Sequence, residues 1–292
     1  MKTTFALIFV SLALTGCNFS KSAKKDLMSG LSSTGNNISC DDVYLTVNDE
    51  RTTRNSFIYG ETFFLNFGDV TGFEKENGNV FPGMNLVVVN TAGDTMFQTS
   101  DLMSKYPEGM NFSPLLLTAD LTLAAPIKSK AEYTAIVNIW DRKGEGTYRS
   151  KFDFKVLEND KIKVESSGTT YDEVYLFSQG NDKVITDNKM KFNDNIYIII
   201  EGLKGFSETG GMVFPGLSIK ASDSANNVVL ESDDLFADYS TSGIAAADMA
   251  ERVSAHFSIP GPQFNNPLRC ELTVWDKKSI AKIKVNTDMV LE

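Results

Sequence analysis

The side chains best suited to chemistry are scarce in this chain: one histidine, His256, and three cysteines, Cys17, Cys40 and Cys270. A nucleophilic triad needs a base such as histidine. In the stretch 253–259, Val253, Ala255, Phe257 and Ile259 alternate to one face, which puts His256 on the opposite, solvent side with no Ser or Cys motif beside it. Cys40, Cys270 and His256 have no spacing that closes a tetrahedral zinc site. Two Gly-rich stretches, 72–83 and 205–216, lack the following helix and lysine of a phosphate cradle. Glycoside hydrolysis needs only two carboxylates, but 38 acidic residues are spread along the chain and nothing selects a pair. The expectation is a protein without enzymatic activity and without a cofactor.

What remains are groups suited to binding. Trp140 and Trp275 fall out of phase with the inward apolar series of their segments, sharing a face with Thr134 and Asn138 in one case and with Arg269 and Thr273 in the other. An indole so placed can stack on a sugar or a partner side chain, or fold over the neighbouring strand, and the sequence leaves both open. Glu158, Asn159 and Asp160 gather oxygen atoms near a domain junction, and Asp141 and Asp276 close two strands. Calcium requires about six to eight oxygens converging on one point, so Glu158 and Asp160 are candidates only as part of a larger set.

These residues are carried by a duplicated module. Gly72, Phe73, Gly78, Val80, Phe81, Pro82 and Gly83 return as Gly205, Phe206, Gly211, Val213, Phe214, Pro215 and Gly216, at a shift of about 133 positions. The repeat continues from Asp101, Leu102 and Tyr106 to Asp234, Leu235 and Tyr239, where a single helical turn is expected. Each copy opens with a strand, in which Val43 and Leu45 match Val174 and Leu176. Each then reaches a strongly apolar segment, TFFLNFGDV or NIYIIIEGL, of the kind buried on both faces or crossing a sandwich core. Hairpin patterns follow at 85–98 and 218–231 and again at 132–156 and 268–285. A short helix is expected only in the second copy, within 242–253, because Pro114 opposes one in the first.

Many short strands with frequent turns predict an all-β chain of two tandem immunoglobulin-like β-sandwiches, 39–160 and 161–292. Tyr133, Ala135, Val137, Ile139, Asp141 and Gly144 also resemble the last hairpin of immunoglobulin-like and polycystic-kidney-disease-type domains. The second copy departs from that pattern, with Leu268 in place of the tyrosine and no glycine in its turn.

The N-terminus has Lys2, an apolar run from Phe5 to Leu14, and then Leu14-Thr15-Gly16-Cys17. The run is shorter than the roughly 20 residues that span a bilayer and suits an export signal, 1–16. The ending resembles the lipobox of bacterial lipoproteins. That resemblance implies an acylated Cys17, a lipidated tether over 17–38, and an anchor in the outer membrane of a Gram-negative cell. Asn18 and the lack of a following acidic run favour its periplasmic face over surface display. Asp94-Thr95-Met96 and Asp223-Ser224-Ala225 resemble the O-glycosylation pattern of Bacteroidota envelope proteins, which places Thr95 and Ser224 on exposed turns. Export permits a Cys40–Cys270 disulfide, while the alternation of Leu268, Cys270, Leu272 and Val274 suits Cys270 as a core residue.

A net charge of −10 argues against nucleic acid as a partner. The preferred expectation is a ligand-binding or adhesion module, with a glycan as the suggested ligand and duplication suited to bivalent contact. The rival is a structural or assembly component of an outer-membrane complex, with a hydrolase behind both.

Overall fold

Alternating apolar residues turn the expected extended segments into strands, and the strands assemble as two sandwiches of one topology. The structure, a computed structural model, describes residues 21–25, 29–261 and 264–292. The signal segment 1–16 and Cys17 lie outside the described residues. Among the described residues no helix is long and apolar enough to cross a membrane.

Module 1 contains β1 (Lys21–Lys25), β2 (Ser32–Asn36), β3 (Ser39–Val47), β4 (Glu50–Thr52), β5 (Ser56–Ile58), β6 (Thr62–Thr71), β7 (Lys75–Glu76) and β8 (Asn79–Val80). It continues with β9 (Pro82–Asn90), β10 (Thr95–Gln98), β11 (Leu117–Thr122), β12 (Ala131–Asp141) and β13 (Thr147–Leu157). One sheet runs β11-β6-β3-β4 and the other β1-β2-β13-β12-β9-β10, with β5 parallel to β13. Taking β3, β6, β9, β10, β11, β12 and β13 as the principal strands, the first, second and fifth form one layer and the others form the second, an immunoglobulin-like arrangement. Phe57, Phe63, Phe152 and Phe154 fill the space between the layers, their ring centroids 4.8 to 6.3 Å apart. Burying each such ring stabilises the fold by about 1.5–3 kcal/mol.

Module 2 repeats this order with β14 (Ile162–Ser167), β15 (Glu173–Ser178), β16 (Lys183–Ile185), β17 (Lys189–Met190), β18 (Ile196–Glu201), β19 (Met212–Val213), β20 (Pro215–Ser222) and β21 (Val228–Ser232). After β22 (Ile244–Ala245) and the short helix α1 (Ala246–Glu251) come β23 (Val253–Phe257), β24 (Leu268–Asp276) and β25 (Lys282–Leu291). Its sheets are β16-β15-β18-β23 and β14-β25-β24-β20-β21, with β17 parallel to β25. The expected helix is thus present, trimmed to one and a half turns. The helical turn expected in both copies is a 3-10 turn, Ala237–Tyr239, in the second and plain turns in the first.

Two expectations need correction. The stretch 17–38, read as a tether, is partly built into module 1. Strand β2 pairs antiparallel with β13 just as β14 pairs with β25, Leu31 and Ile38 are buried, and the Ser33 hydroxyl donates to Ser150 Oγ. The module therefore takes in residues before 39, with β1 and β2 both in its larger sheet. Strand β2, SSTGN, has no apolar residue to announce it, because small Ser33 and Gly35 serve as its buried positions.

The second correction concerns the two apolar strands. β6 alternates, with Phe63, Leu65 and Phe67 inside and Phe64 and Asn66 half-exposed on the outer face. In β18 the outer face is buried as well, at Ile199. Directly across from Ile199, Tyr175 packs on the module 1 core and its ring lies 5.3 Å from that of Tyr59. Docking between the modules therefore covers this face, and it demands an apolar residue where β6 keeps an asparagine.

Polar contacts finish the junction. The Ser129 N–H donates to Glu173 Oε1 at 2.6 Å, Lys128 meets Asp172 at 2.7 Å, and Lys130 meets Glu158 at 2.8 Å. Burial pushes the Glu173 carboxyl above its ordinary value of 4.5, against the lowering effect of the Ser129 N–H. A carboxyl with a raised folded pKa contributes stability that is fully present below the unfolded pKa and is lost as pH rises through the folded one. Glu173→Gln is therefore expected to flatten the pH dependence of stability above pH 4.5. Urea midpoints at pH 4.5 and 7 check this, and an unchanged slope in the variant would refute the assignment.

Candidate functional site

The residues shared by both copies mostly hold turns together. Trp140 lies opposite Gly83 in the β12–β9 register, and Trp275 opposite Gly216 in β24–β20. Each indole folds over its glycine so closely that a Cβ would meet ring atoms at 2.1 Å in module 1 and 2.2 Å in module 2. Gly72 and Gly205, both with positive φ, press against the carbonyls of Asn37 and Gly168.

Carboxylates organise the same end of each sandwich. Asp101 Oδ1 accepts the Met84 and Met103 N–H groups, and Asp234 Oδ1 those of Leu217 and Phe236. Asp141 accepts the Glu74 and Lys143 N–H groups, and Asp276 those of Ser207 and Lys278. Next in sequence, Arg142 donates to the Pro82 and Met103 carbonyls, whereas Lys277 donates to the Phe236 carbonyl and lies 2.7 Å from Asp234.

The outer face of the larger sheet carries a groove in both modules, over β1, β2, β12 and β13 in module 1 and across β14, β25, β24, β20 and β21 in module 2. In module 1 it has a volume of about 560 Å³ and is walled by Thr34, Asn36, Asn138, Trp140, Thr147 and Arg149. Trp140 is half-buried, Arg149 is exposed, and the Asn138 amide donates to Asn85 at 2.9 Å. Asn36 Oδ1 is buried and without a hydrogen-bond partner among the described residues. In module 2 the groove is about 470 Å³ and lined by charge: Glu165, Glu231, Asp233 and Glu271 against Lys220, Lys282 and Lys284. There Lys284 pairs with Glu271 at 2.8 Å and Lys220 with Glu231 at 2.9 Å. Arg149 takes the place of Lys284, and Ile136 that of Glu271, at a common shift of about 135 positions.

The other predicted residues are dispersed. Glu158 is engaged by Lys130 and by the Tyr171 hydroxyl, and Asp160 is exposed. Among the described residues no group of three or more His, Cys, Asp or Glu side chains could hold a metal ion. Ser224 is exposed on the β20–β21 turn. That turn is built by Asp223, whose carboxylate accepts from Ala225, Asn227 and Asn265; the Asn227 side chain leads in holding it down at about 2. Thr95 is also exposed, but it opens β10 and does not sit on the turn itself. His256 faces solvent, stacked on Tyr197 at 5.0 Å. Cys40 and Cys270 are both free and buried, and burial pushes the Cys40 thiol up to about 12.

Sequence reasoning named Trp140 as a candidate and passed over Arg149 and the wall formed by β2. The signal for Arg149 lay in aligning the last hairpins, where the Lys–Glu pair of one copy becomes Arg and Ile in the other.

No protein-family model matches the chain, and no curated protein does. Among solved structures it is similar to the fibronectin(III)-like modules of Clostridium thermocellum CbhA, with 10% identity over 85% of this chain and 94% of that one and a TM-score of 0.21. It is similar to a DUF3823 family protein from Bacteroides ovatus at 9% identity, covering 73% and 91%, TM-score 0.22. The C-terminal domain of the Streptococcus agalactiae AgI/II polypeptide BspA matches at 12% identity, covering 85% and 99%, TM-score 0.24. Likeness at these TM-scores carries no argument about function, and the fold stands on the strand pairings above.

Proposed function

We propose that this chain is a non-enzymatic recognition protein of a Gram-negative envelope, held by a lipid on Cys17 at the periplasmic face of the outer membrane, whose module 1 groove binds a glycan. The observation that carries the reading is the half-buried Trp140 indole sharing one outward groove with Asn36, Asn138 and Arg149. A flat apolar ring beside amide and guanidinium groups suits a sugar, which offers an apolar ring face and a rim of hydroxyls. Trp275 has no such company, because the groove on the same face of module 2 is lined by charged side chains and does not include it. One site per chain follows, in place of the bivalent contact that duplication suggested.

The test is an oligosaccharide array probed with the full chain in mild detergent. A fragment starting at 38 is unsuitable, since it deletes β2 and with it one wall of the groove. Trp140→Ala is expected to weaken binding about tenfold or more, the scale of a lost stacking contact, whereas Trp275→Ala leaves it unchanged. Equal loss in both variants, or no retained sugar, refutes the reading.

A second reading, an assembly component of an envelope complex, draws on isolated exposed apolar side chains: Phe112 at 67%, Leu116 at 65% and Ile280 at 88% exposure. It would be favoured if Phe112→Ser with Leu116→Ser abolished crosslinks to envelope proteins in cells.

A further inference from the structure

Resting on the glycan reading, we infer that the module 1 groove selects sugars bearing a negative charge, a carboxylate or a sulfate, and that Arg149 reads that charge. Arg149 lies directly across from Asn138 on the outer face, and Trp140 is two residues further along the same strand. Same-face neighbours so spaced stand about 7 Å apart, the reach of one sugar ring with a substituent. A guanidinium offers parallel N–H donors that match the two oxygens of a carboxylate or sulfate.

The charge is available for such a ligand. Arg51, Arg54, Arg142 and Arg269 are each within ion-pair distance of a carboxylate, whereas Arg149 and, outside the groove, Arg252 have no ion pair among the described residues. Lys151, the next outward residue of β13, is also exposed and without an ion pair among them. Among the described residues no acidic side chain lines the groove. Module 2 shows what a neutralised version looks like: Lys284, in the place of Arg149, is held by Glu271. Ile136 replaces that glutamate in module 1, and the cation has no carboxylate partner among the described residues. In a chain of net charge −10, an unpaired cation beside an aromatic ring in a groove without carboxylates is the feature that would draw an anionic sugar; in module 2 the exposed Lys282 lies across from Trp275, but four acidic side chains line the groove there.

The experiment titrates the full chain in mild detergent with three oligosaccharides of equal length: a uronic-acid oligomer, a sulfated galactan and a neutral glucan. A poly-aspartate peptide serves as a fourth ligand. The readout is the ratio of acidic to neutral affinity. Wild type is expected to prefer at least one acidic oligomer, and the arm that wins identifies carboxylate or sulfate. Arg149→Gln is expected to lower the ratio about tenfold, Arg149→Lys to lower it less, and Ile136→Glu to lower it by supplying the module 2 pairing. Folding of each of the three variants is checked by its urea midpoint, Ile136 being a buried position. A wild-type ratio near one, or a ratio unmoved by Arg149→Gln, overturns the charge inference while leaving glycan binding standing. Failure to bind any oligosaccharide removes both together. Equal affinity for poly-aspartate would show a general anion site and overturn the sugar selectivity.

Discussion

Asp276→Ala is expected to destabilise module 2 by about 3–5 kcal/mol, since hydrogen bonds to a charged group contribute about 1.5–3 kcal/mol each and a buried donor left unpaired adds its own cost. The carboxylate is buried, and it accepts from the Ser207 N–H at 2.7 Å, the Lys278 N–H at 2.9 Å and the Ser279 hydroxyl at 2.6 Å. It thereby ties the Gly-rich loop after β18 to the β24–β25 turn. Burial by itself would raise its pKa; the Ser279 hydroxyl and the two N–H groups outweigh burial and hold it below the ordinary value. The sign follows. A depressed folded pKa contributes stability that is present above the unfolded pKa of about 3.9 and is lost as pH falls through the folded value. Wild type should lose this contribution on acidification below pH 4, whereas Asp276→Ala should show a shallower acid limb. Urea unfolding from pH 2 to 7 measures both, and parallel acid limbs would sink the assignment. Asp276→Asn, which keeps acceptor capacity without charge, should fall between the two.

Gly83→Ala is expected to cost about 1–3 kcal/mol in module 1, the range for overpacking a filled site, even though alanine usually suits a strand better than glycine. The added Cβ would stand 2.1 Å from the Trp140 ring, so the indole must leave its seat. In a Trp140→Ala background the same substitution should be neutral or mildly stabilising. The double-mutant cycle therefore yields a coupling comparable to the single cost. Equal costs in the two backgrounds would show that something other than the indole forbids a side chain there. The same cycle at Gly216 and Trp275 should give a similar value, because the contact recurs at 2.2 Å. The pairing explains why Phe-Pro-Gly appears in both copies: proline opens the strand, and glycine leaves room for the ring from the next one.

Much of this architecture is written in local pattern. Period-two alternation in 131–141 and 268–276 defines β12 and β24, and the common shift of about 133 positions shows two modules before any contact is known. Turn chemistry at Asp223, and the outward phase of Trp140, Trp275 and His256, also follow from neighbours in sequence. The sequence alone determined the all-β class, the duplication, the outward indoles and the poverty of catalytic groups. Tertiary structure decided the rest, since each remaining feature depends on residues far apart in the chain. β2 is a strand because β13, over a hundred positions away, offers it an edge. Ile199 is buried on its outer face because module 1 docks there, whereas Asn66 in the other copy meets no such neighbour and stays polar. Arg149 lacks an ion pair among the described residues because Ile136, diagonal to it across a strand pair, is not a carboxylate. Alternation specifies which face a side chain takes; what lies across that face is set by pairing and docking, which no local pattern encodes.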